Sequence, residues 1–355
     1  MARTILIMAG GTGGHVFPAL AVADEMRRRG WGVVWLGAEG GMETTLVPKH
    51  NFALETIRFR GVRGKGVLRW ALLPLALLIA FWQSAKVIFR VRPDVVLGMG
   101  GFAAFPGGMM ASLFNRPLAI HEQNAIPGLA NKVLARLADR VYSAFPDALS
   151  KSIWSGNPVR AEIAAVSKPG ERFAGRSGPL RLLVVGGSLG AQALNEVVPK
   201  ALALLPEGDR ARVIHQAGQK HIETLKQHYA QAGVSGELVP FVEDMADRYA
   251  AADLVICRAG ATTLAELACA GVASVLVPFP FATDDHQTAN ARFLSERGAA
   301  LLLPQSELTP QRLASLLGGL DREQLLDLAT NARQLAKPSA AQVVANGCVE
   351  LARSR

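Results

Sequence analysis

Three glycine clusters stand directly after runs of β-branched and aliphatic residues: Gly10-Gly11-Thr12-Gly13-Gly14-His15, Gly98-Met99-Gly100-Gly101 and Gly186-Gly187-Ser188-Leu189-Gly190. Lacking Cβ, such loops let backbone amides come close to an anion, and the following helix aims its positive end at the same point. Phosphate binding is the chemistry this pattern suggests, and tight strand-to-helix packing is the alternative use of each glycine. A fourth segment, Arg258-Ala259-Gly260-Ala261-Thr262-Thr263-Leu264-Ala265-Glu266, places small residues at a helix start, which would admit a diphosphate. Glu266 follows about one and a half turns further on, where a carboxylate can accept hydrogen bonds from a ribose diol; a solvated surface glutamate is the plain alternative. The Gly-x4-Gly-Lys-Ser/Thr phosphate loop is absent. The dinucleotide fingerprint fits poorly, because Val16 holds the place where a third glycine or alanine should follow Gly11 and Gly13.

The elements that must carry these loops alternate in the βαβ manner of a mostly parallel sheet. Strands are expected at Ile5 to Met8, Val33 to Leu36, Asp94 to Leu97, Leu118 to Ile120 and Arg140 to Ser143. The second half repeats the plan at Arg181 to Val185, Arg212 to Gln216, Glu237 to Phe241, Leu254 to Cys257 and Ser274 to Val277. Between the halves, Gly156-Asn157-Pro158-Val159-Arg160 and the polar stretch from Ser167 to Pro179 break the pattern, which predicts a hinge there. The expectation is an α/β protein of two Rossmann-like domains, each binding its ligand beyond the carboxyl ends of its strands.

Composition agrees with that scale. At roughly 150 residues per domain, 355 residues imply two domains. Hydrophobic residues make up 50% against 19% charged, Gly 35 and Pro 19 show no period, and mean hydropathy is +0.22, so fibrous and disordered classes are excluded. Lys+Arg 38 against Asp+Glu 29 leaves a net charge of +9, which calls for an acidic partner: phosphate, nucleic acid or anionic lipid. Nucleic acid is disfavoured, since aromatics are only 6% and no recognised nucleic-acid motif occurs. The three cysteines, Cys257, Cys269 and Cys348, are too few and scattered for a disulfide framework or metal site, which fits a reducing cytoplasm. Ile5 to Ala9 is too short for a signal peptide's apolar region and is expected to be the first strand.

One apolar run remains, Trp70 to Trp82, which falls short of the ~20 residues of a spanning helix. Its flanks are basic, with Lys65 and Arg69 before it and Lys86 and Arg90 after it, and a tryptophan closes each end. Two readings stand open: a surface dipping into anionic lipid, with Leu75, Leu78 and Ile79 as its apolar face, or an ordinary helix buried between two strands.

Taken in order, Gly10 to His15, Gly98 to Gly101, His121-Glu122-Gln123-Asn124, Gly156 to Arg160, Gly186-Gly187-Ser188, Arg258 to Ala261 and Asp285-His286-Gln287-x-x-Asn290-Ala291 cover essentially the whole chain. This ordered set resembles the bacterial family of UDP-N-acetylglucosamine:N-acetylmuramyl-(pentapeptide) pyrophosphoryl-undecaprenol N-acetylglucosamine transferases. The resemblance implies a glycosyltransferase B arrangement, two Rossmann-like domains with parallel sheets facing a central cleft. It implies transfer from UDP-N-acetylglucosamine (UDP-GlcNAc) to the polyprenyl diphosphate acceptor lipid I, giving lipid II for peptidoglycan, by a peripheral enzyme on the cytoplasmic face of the inner membrane. A UDP-N-acetylglucosamine 2-epimerase, or a transferase to a soluble acceptor, is the nearest rival within such a fold, although a soluble acceptor gives no reason for a lipid-facing run.

By the same resemblance, residues 1–159 and a returning helix over 337–355 form the acceptor- and membrane-binding domain, and 160–336 the donor domain. The donor site would comprise Thr12, Gly13, Gly14, Asn124 and Gln287 toward the sugar, with Arg160 and Ser188 near the diphosphate. Val242 would meet uracil through its backbone, Ala261, Thr262, Thr263, Leu264 and Ala265 would cap the phosphates, and Glu266 would hold the ribose. Gly100 and Gly101 fall to the acceptor, together with Lys65, Arg69, Trp70, Leu75, Leu78, Ile79 and Trp82 at the membrane. Some relatives carry two consecutive glutamines where this chain has His286-Gln287, which leaves Gln287 as the sugar contact. His15, a near-neutral titrating group, is the candidate general base, with a phosphate contact or loop support as its alternatives. No cofactor and no metal are expected: Asp-x-Asp is missing, and the Asp284-Asp285 pair falls in a loop.

Overall fold

A computed structural model describes residues 3–59, 72–187 and 190–354. The chain forms two compact units, one of residues 1–160 with 338–355, the other of residues 161–337. Among the described residues the first holds seven strands: β1 (Thr4–Met8), β2 (Gly32–Ala38), β3 (Ala53–Ile57), β4 (Val95–Gly98), β5 (Leu118–Glu122), β6 (Arg140–Ser143) and β7 (Ile153–Trp154). All pair in parallel, in the order β3-β2-β1-β4-β5-β6-β7. Ile5 to Met8 and Val95 to Gly98 are buried throughout, as strands covered by helices on both faces must be. The terminal helix Ala340–Arg353 belongs to this unit. Its Val344, Ala345 and Cys348 share a core with Val16, Ala19 and Ala23 of the helix Gly13–Arg28, and Arg140 pairs with Glu350.

Among its described residues the second unit has six strands: β8 (Arg181–Val185), β9 (Arg212–Gln216), β10 (Glu237–Val239), β11 (Leu254–Cys257), β12 (Ala273–Leu276) and β13 (Leu301–Leu302). They too are parallel, in the order β10-β9-β8-β11-β12-β13. Each sheet therefore reverses its strand order once, between β1 and β4 and between β8 and β11. At such a point the loops leaving two adjacent strands diverge to opposite faces and leave a crevice at the carboxyl edge.

Three strands have no counterpart in the sequence reading. Ala53–Ile57 lies at a sheet edge and reads apolar-apolar-polar-polar-apolar, which carries no strand period, and β7 and β13 are two residues long, too short to give a pattern. β10 stops at Val239 rather than Phe241 because Pro240 has no N–H to donate to the ladder.

The polar stretch from Ser167 to Pro179, expected as part of the hinge, is instead an ordered part of the second unit. Its short helix Pro169–Phe173 buries the Arg172 guanidinium, which donates to the carbonyls of Ser167, Tyr249, Ala270 and Gly271. Arg176 next to it pairs with the fully buried Asp253. These bonds dock the segment by its charged groups, so its polarity is a sign of anchoring and not of a linker.

From Leu73 onward the apolar run lies in the helix Leu73–Val91, which is long and apolar enough to cross a membrane by length and composition. One face, Ala80, Ser84, Val87 and Ile88, is buried in the core of the first unit; the other exposes Leu72, Leu75, Leu78, Ile79, Trp82 and Phe89. The buried-helix reading therefore holds for the inner face alone, and the outer face is exposed. Lys65, Arg69 and Trp70 lie outside the described residues.

Replacing Arg172 by Met keeps the apolar stem but leaves buried carbonyls without donors. Urea denaturation should show a loss of about 3 kcal/mol; a loss below about 0.5 kcal/mol would mean the guanidinium does not anchor the segment.

Candidate functional site

In the first unit the glycine loops after β1 and β4 meet at the switch point. Gly100 sits at φ +89, and a Cβ there would lie 2.6 Å from Nδ1 of His15. Gly101, at φ +85, would press its Cβ into the carbonyl of Gly10. Gly10 must itself lack a side chain to admit the carboxylate of Glu43, which is fully buried and accepts from the amides of Gly11 and Ala38, each at 2.9 Å. For Gly10, Gly100 and Gly101, close packing accounts for the glycine, and the Gly11 amide is already turned inward to Glu43. The groups left facing outward here are Thr12 and Gly14, both exposed, and the half-buried His15.

Behind His15 runs a buried chain of polar groups. His15 Nδ1 is 3.0 Å from Oε1 of Gln123. Nε2 of Gln123 is 2.9 Å from the Met99 carbonyl and 3.2 Å from Nδ1 of His121, whose Nε2 is 2.9 Å from the Gly156 carbonyl. Burial holds the His121 pKa down at about 4; the bond to Gly156 opposes the shift and the proximity of His15 adds to it. Beside it the Glu122 carboxylate accepts from the Asn124 amide at 2.9 Å and from Nδ2 of Asn131 at 2.8 Å, shaping the turn that carries Asn124. Four motifs distant in sequence, at Gly10 to His15, Gly98 to Gly101, His121 to Asn124 and Gly156, thus close on one another.

In the second unit the loop after β8 and the start of the helix Ala261–Ala270 after β11 flank a cavity of about 640 Å³. Gly186, Gly187, Gly260, Thr263, Phe279 and Gln287 are among its lining residues. Around Gly187, at φ +82, the place of a Cβ is open space, whereas Gly190 is packed against the Ala217 carbonyl. The first turn of the helix offers backbone amides without intrahelical acceptors at this spot. Gln287 accepts from the Phe279 amide at 2.9 Å through Oε1, which leaves its amino end as the donor. Arg258 is committed to structure: its guanidinium donates to the carbonyls of Val277 and Pro278 and to Oε1 of Gln305.

Of the other expected donor residues, Ala261 and Leu264 have buried side chains, so only their backbone can meet a ligand. Val242 is likewise buried. Glu266 is not a solvated surface residue: it is 9% exposed and accepts from the Tyr249 hydroxyl at 3.2 Å. Arg160 is half-buried at the end of the first unit. Ser188 lies outside the described residues. Asp284 and Asp285 are exposed in left-handed backbone conformations, and the Thr288 hydroxyl donates to Asp285.

Sequence reasoning gave no role to Glu43, His121, Gln123 or Tyr249. For the pair from β5 a signal existed: four consecutive polar residues where a buried strand ends have no place in an apolar core. For Glu43 there was none, since its partners are backbone amides.

Two Rossmann-like units, each with a glycine loop and a helix start at its switch point, define a class of nucleotide-sugar transferases. The chain belongs to glycosyltransferase family 28, whose N-terminal domain matches residues 5–143 and whose C-terminal domain matches residues 181–346. It is 64% identical over 354 residues, 99% of either chain, to the UDP-N-acetylglucosamine--N-acetylmuramyl-(pentapeptide) pyrophosphoryl-undecaprenol N-acetylglucosamine transferase of Nitrosospira multiformis. The enzyme of the same name from Cupriavidus metallidurans is 65% identical over 351 residues, again 99% of either chain. Among solved structures, MurG of Acinetobacter baumannii superposes with a TM-score of 0.85 at 43% identity, over 98% of this chain and 99% of that one. A UDP-N-acetylglucosamine 2-epimerase from Listeria monocytogenes shares the fold alone, with a TM-score of 0.67 at 14% identity over 100% and 97% of the two chains.

Burial also predicts acid sensitivity. His121 and, in the second unit, His215, whose pKa burial lowers to about 3, stay neutral in the fold, whereas the unfolded chain takes up protons below about pH 6.5. Their contribution is therefore intact above that pH and lost as pH falls, by roughly 2 kcal/mol each at about pH 5. Comparing urea midpoints at the two pH values, His215→Gln should show a smaller acid loss than the unaltered protein; an equal loss would contradict a neutral buried imidazole.

Proposed function

We infer that this protein transfers N-acetylglucosamine from UDP-GlcNAc to the C4 hydroxyl of the muramyl sugar of lipid I, inverting the anomeric carbon and forming lipid II. The observation that carries this reading is identity above 60% along the whole length to transferases of that name, on a chain whose two units each reverse strand order once.

The hydroxyl oxygen attacks C1 of the donor sugar, the bond from C1 to the diphosphate oxygen breaks, and its electron pair leaves with UDP. His15 takes the hydroxyl proton. What supports His15 is its half-exposed place at the mouth of the first unit's switch point, backed by a fixed polar chain. The diphosphate is met by the helix start at Ala261 to Ala265, by Gly187 and Ser188 and by Arg160. Such preorganised donors stabilise charge that develops as the leaving group departs. Gln287 donates to the sugar, and the family resemblance assigns Thr12, Gly13, Gly14 and Asn124 to the sugar as well. Glu266, oriented by Tyr249, takes the ribose diol, and Val242 meets uracil with its backbone. Gly100 and Gly101 border the acceptor's diphosphate.

The acceptor's polyprenyl chain requires a membrane, and the outer face of the Leu73–Val91 helix supports that contact. Leu78 and Trp82 are each 65% exposed, Leu75 is 57% exposed, and Lys86 stands on the same helix to meet anionic headgroups, whereas Arg90 is paired with Glu55. With its inner face in the core, the helix would lie on the bilayer without spanning it, as suits a peripheral enzyme; the family resemblance assigns it to the cytoplasmic face.

The direct test is transfer of labelled N-acetylglucosamine from UDP-GlcNAc to a lipid I analogue with chelator present. The unaltered protein should form lipid II, and His15→Ala should lower kcat by about 10² to 10⁴. Turnover in that variant near the unaltered level would remove His15 as the base, and no transfer at all would overturn the reading. Separately, Leu75→Glu with Leu78→Glu should abolish sedimentation with anionic vesicles while a short-chain acceptor is still glycosylated. Undiminished vesicle binding would place the membrane contact elsewhere.

A further inference from the structure

Two acceptor-only groups, the Gly156 and Met99 carbonyls, anchor the polar chain behind His15 and set which end of each side chain between them donates. The Gly156 carbonyl can only accept, so Nε2 of His121, 2.9 Å away, must donate. His121 is neutral, since burial keeps its pKa near 4, and its Nδ1 is therefore an acceptor. That nitrogen, at 3.2 Å, and the Met99 carbonyl, at 2.9 Å, face the same end of the Gln123 side chain. The His121 carbonyl, at 3.3 Å, faces that end as well. An amide end that meets only acceptors is the NH2. The other end is then oxygen, which can only accept, so the His15 Nδ1 at 3.0 Å carries a proton.

We propose that Gln123, held by His121 and the Met99 carbonyl, is a positioning residue that fixes His15 as the Nδ1–H tautomer and so leaves the lone pair on Nε2. This rests on the reading of His15 as the base, and it specifies which nitrogen receives the proton of the muramyl hydroxyl. A neutral amide suits that task. A carboxylate in its place would orient the ring equally well but would add negative charge close to a site that gathers a diphosphate. Gly100 completes the arrangement, because any Cβ there would displace the ring from its bond to Gln123. Among the described residues, the charged or titratable groups bonded within these loops include Glu43 and Glu122, whose carboxylates are engaged by backbone amides, and His121 itself.

The tautomer is directly observable. In protein labelled with 15N-histidine, long-range proton–nitrogen correlations at about pH 8, above the usual histidine pKa, distinguish protonated from bare ring nitrogens. The His15 signals are assigned by their loss in His15→Gln. The unaltered protein should show His15 with a bare Nε2; a proton on Nε2 overturns the proposal without any variant being needed. In Gln123→Met, checked for folding by its amide spectrum, the tautomer should shift toward Nε2–H, with kcat falling about 10-fold or more and donor KM unchanged. An unshifted tautomer overturns the role of Gln123. A shifted tautomer with full turnover overturns its catalytic consequence, and it separates this failure from that of the transferase reading, which the lipid II assay reports independently.

Discussion

Parallel strands send all their carboxyl ends to one edge of the sheet, and the chemistry of this protein depends on where that edge opens. A crevice forms only where the strand order reverses, between β1 and β4 in one unit and between β8 and β11 in the other. The loops that leave those four strands are the ones rich in glycine or small residues. Strand order therefore selects which turns become functional and which remain connections.

At the first switch point the glycines serve proximity more than anion binding. Removing three Cβ atoms lets the Glu43 carboxylate enter under Gly10, lets Gly101 lie against Gly10, and lets the His15 ring rest on Gly100. Buried polar groups are costly unless satisfied, and here the satisfaction is nearly complete: Glu43 by two amides, His121 by a carbonyl and an amide, Gln123 at both ends. Such a network has few alternative arrangements, so the loop carrying His15 is held by its polar contacts as much as by the core beneath it. At the second switch point Gly187 faces open space and the helix start is lined by small residues. The first crevice is built to hold a side chain in place and the second to admit a ligand.

The Leu73–Val91 helix meets two demands with one amphipathic pattern. Its inner face fills the core with small and branched residues, while its outer face leaves leucine, isoleucine and tryptophan uncovered. An apolar run in sequence cannot distinguish these faces, because both are apolar and only the helical register relative to the sheet separates them. The Arg172 segment is the converse case, a polar run whose charge is buried and fully bonded.

The sequence by itself determined the class of fold, most of the strands and the loops where chemistry gathers, because apolar runs and glycine placement are local properties of the chain. It also marked Glu266 and His15, whose residue types are chemically conspicuous in their segments. It did not determine what each glycine accommodates, which face of the apolar helix is open, or that Ser167 to Pro179 is docked. Nor could it join His15 to Gln123, His121 and Gly156, which lie up to 141 positions apart and meet only because β1, β4 and β5 are neighbours in the sheet. Tertiary structure decided those matters, since a hydrogen bond or a close approach depends on distance in space, and distance across a sheet is set by strand order.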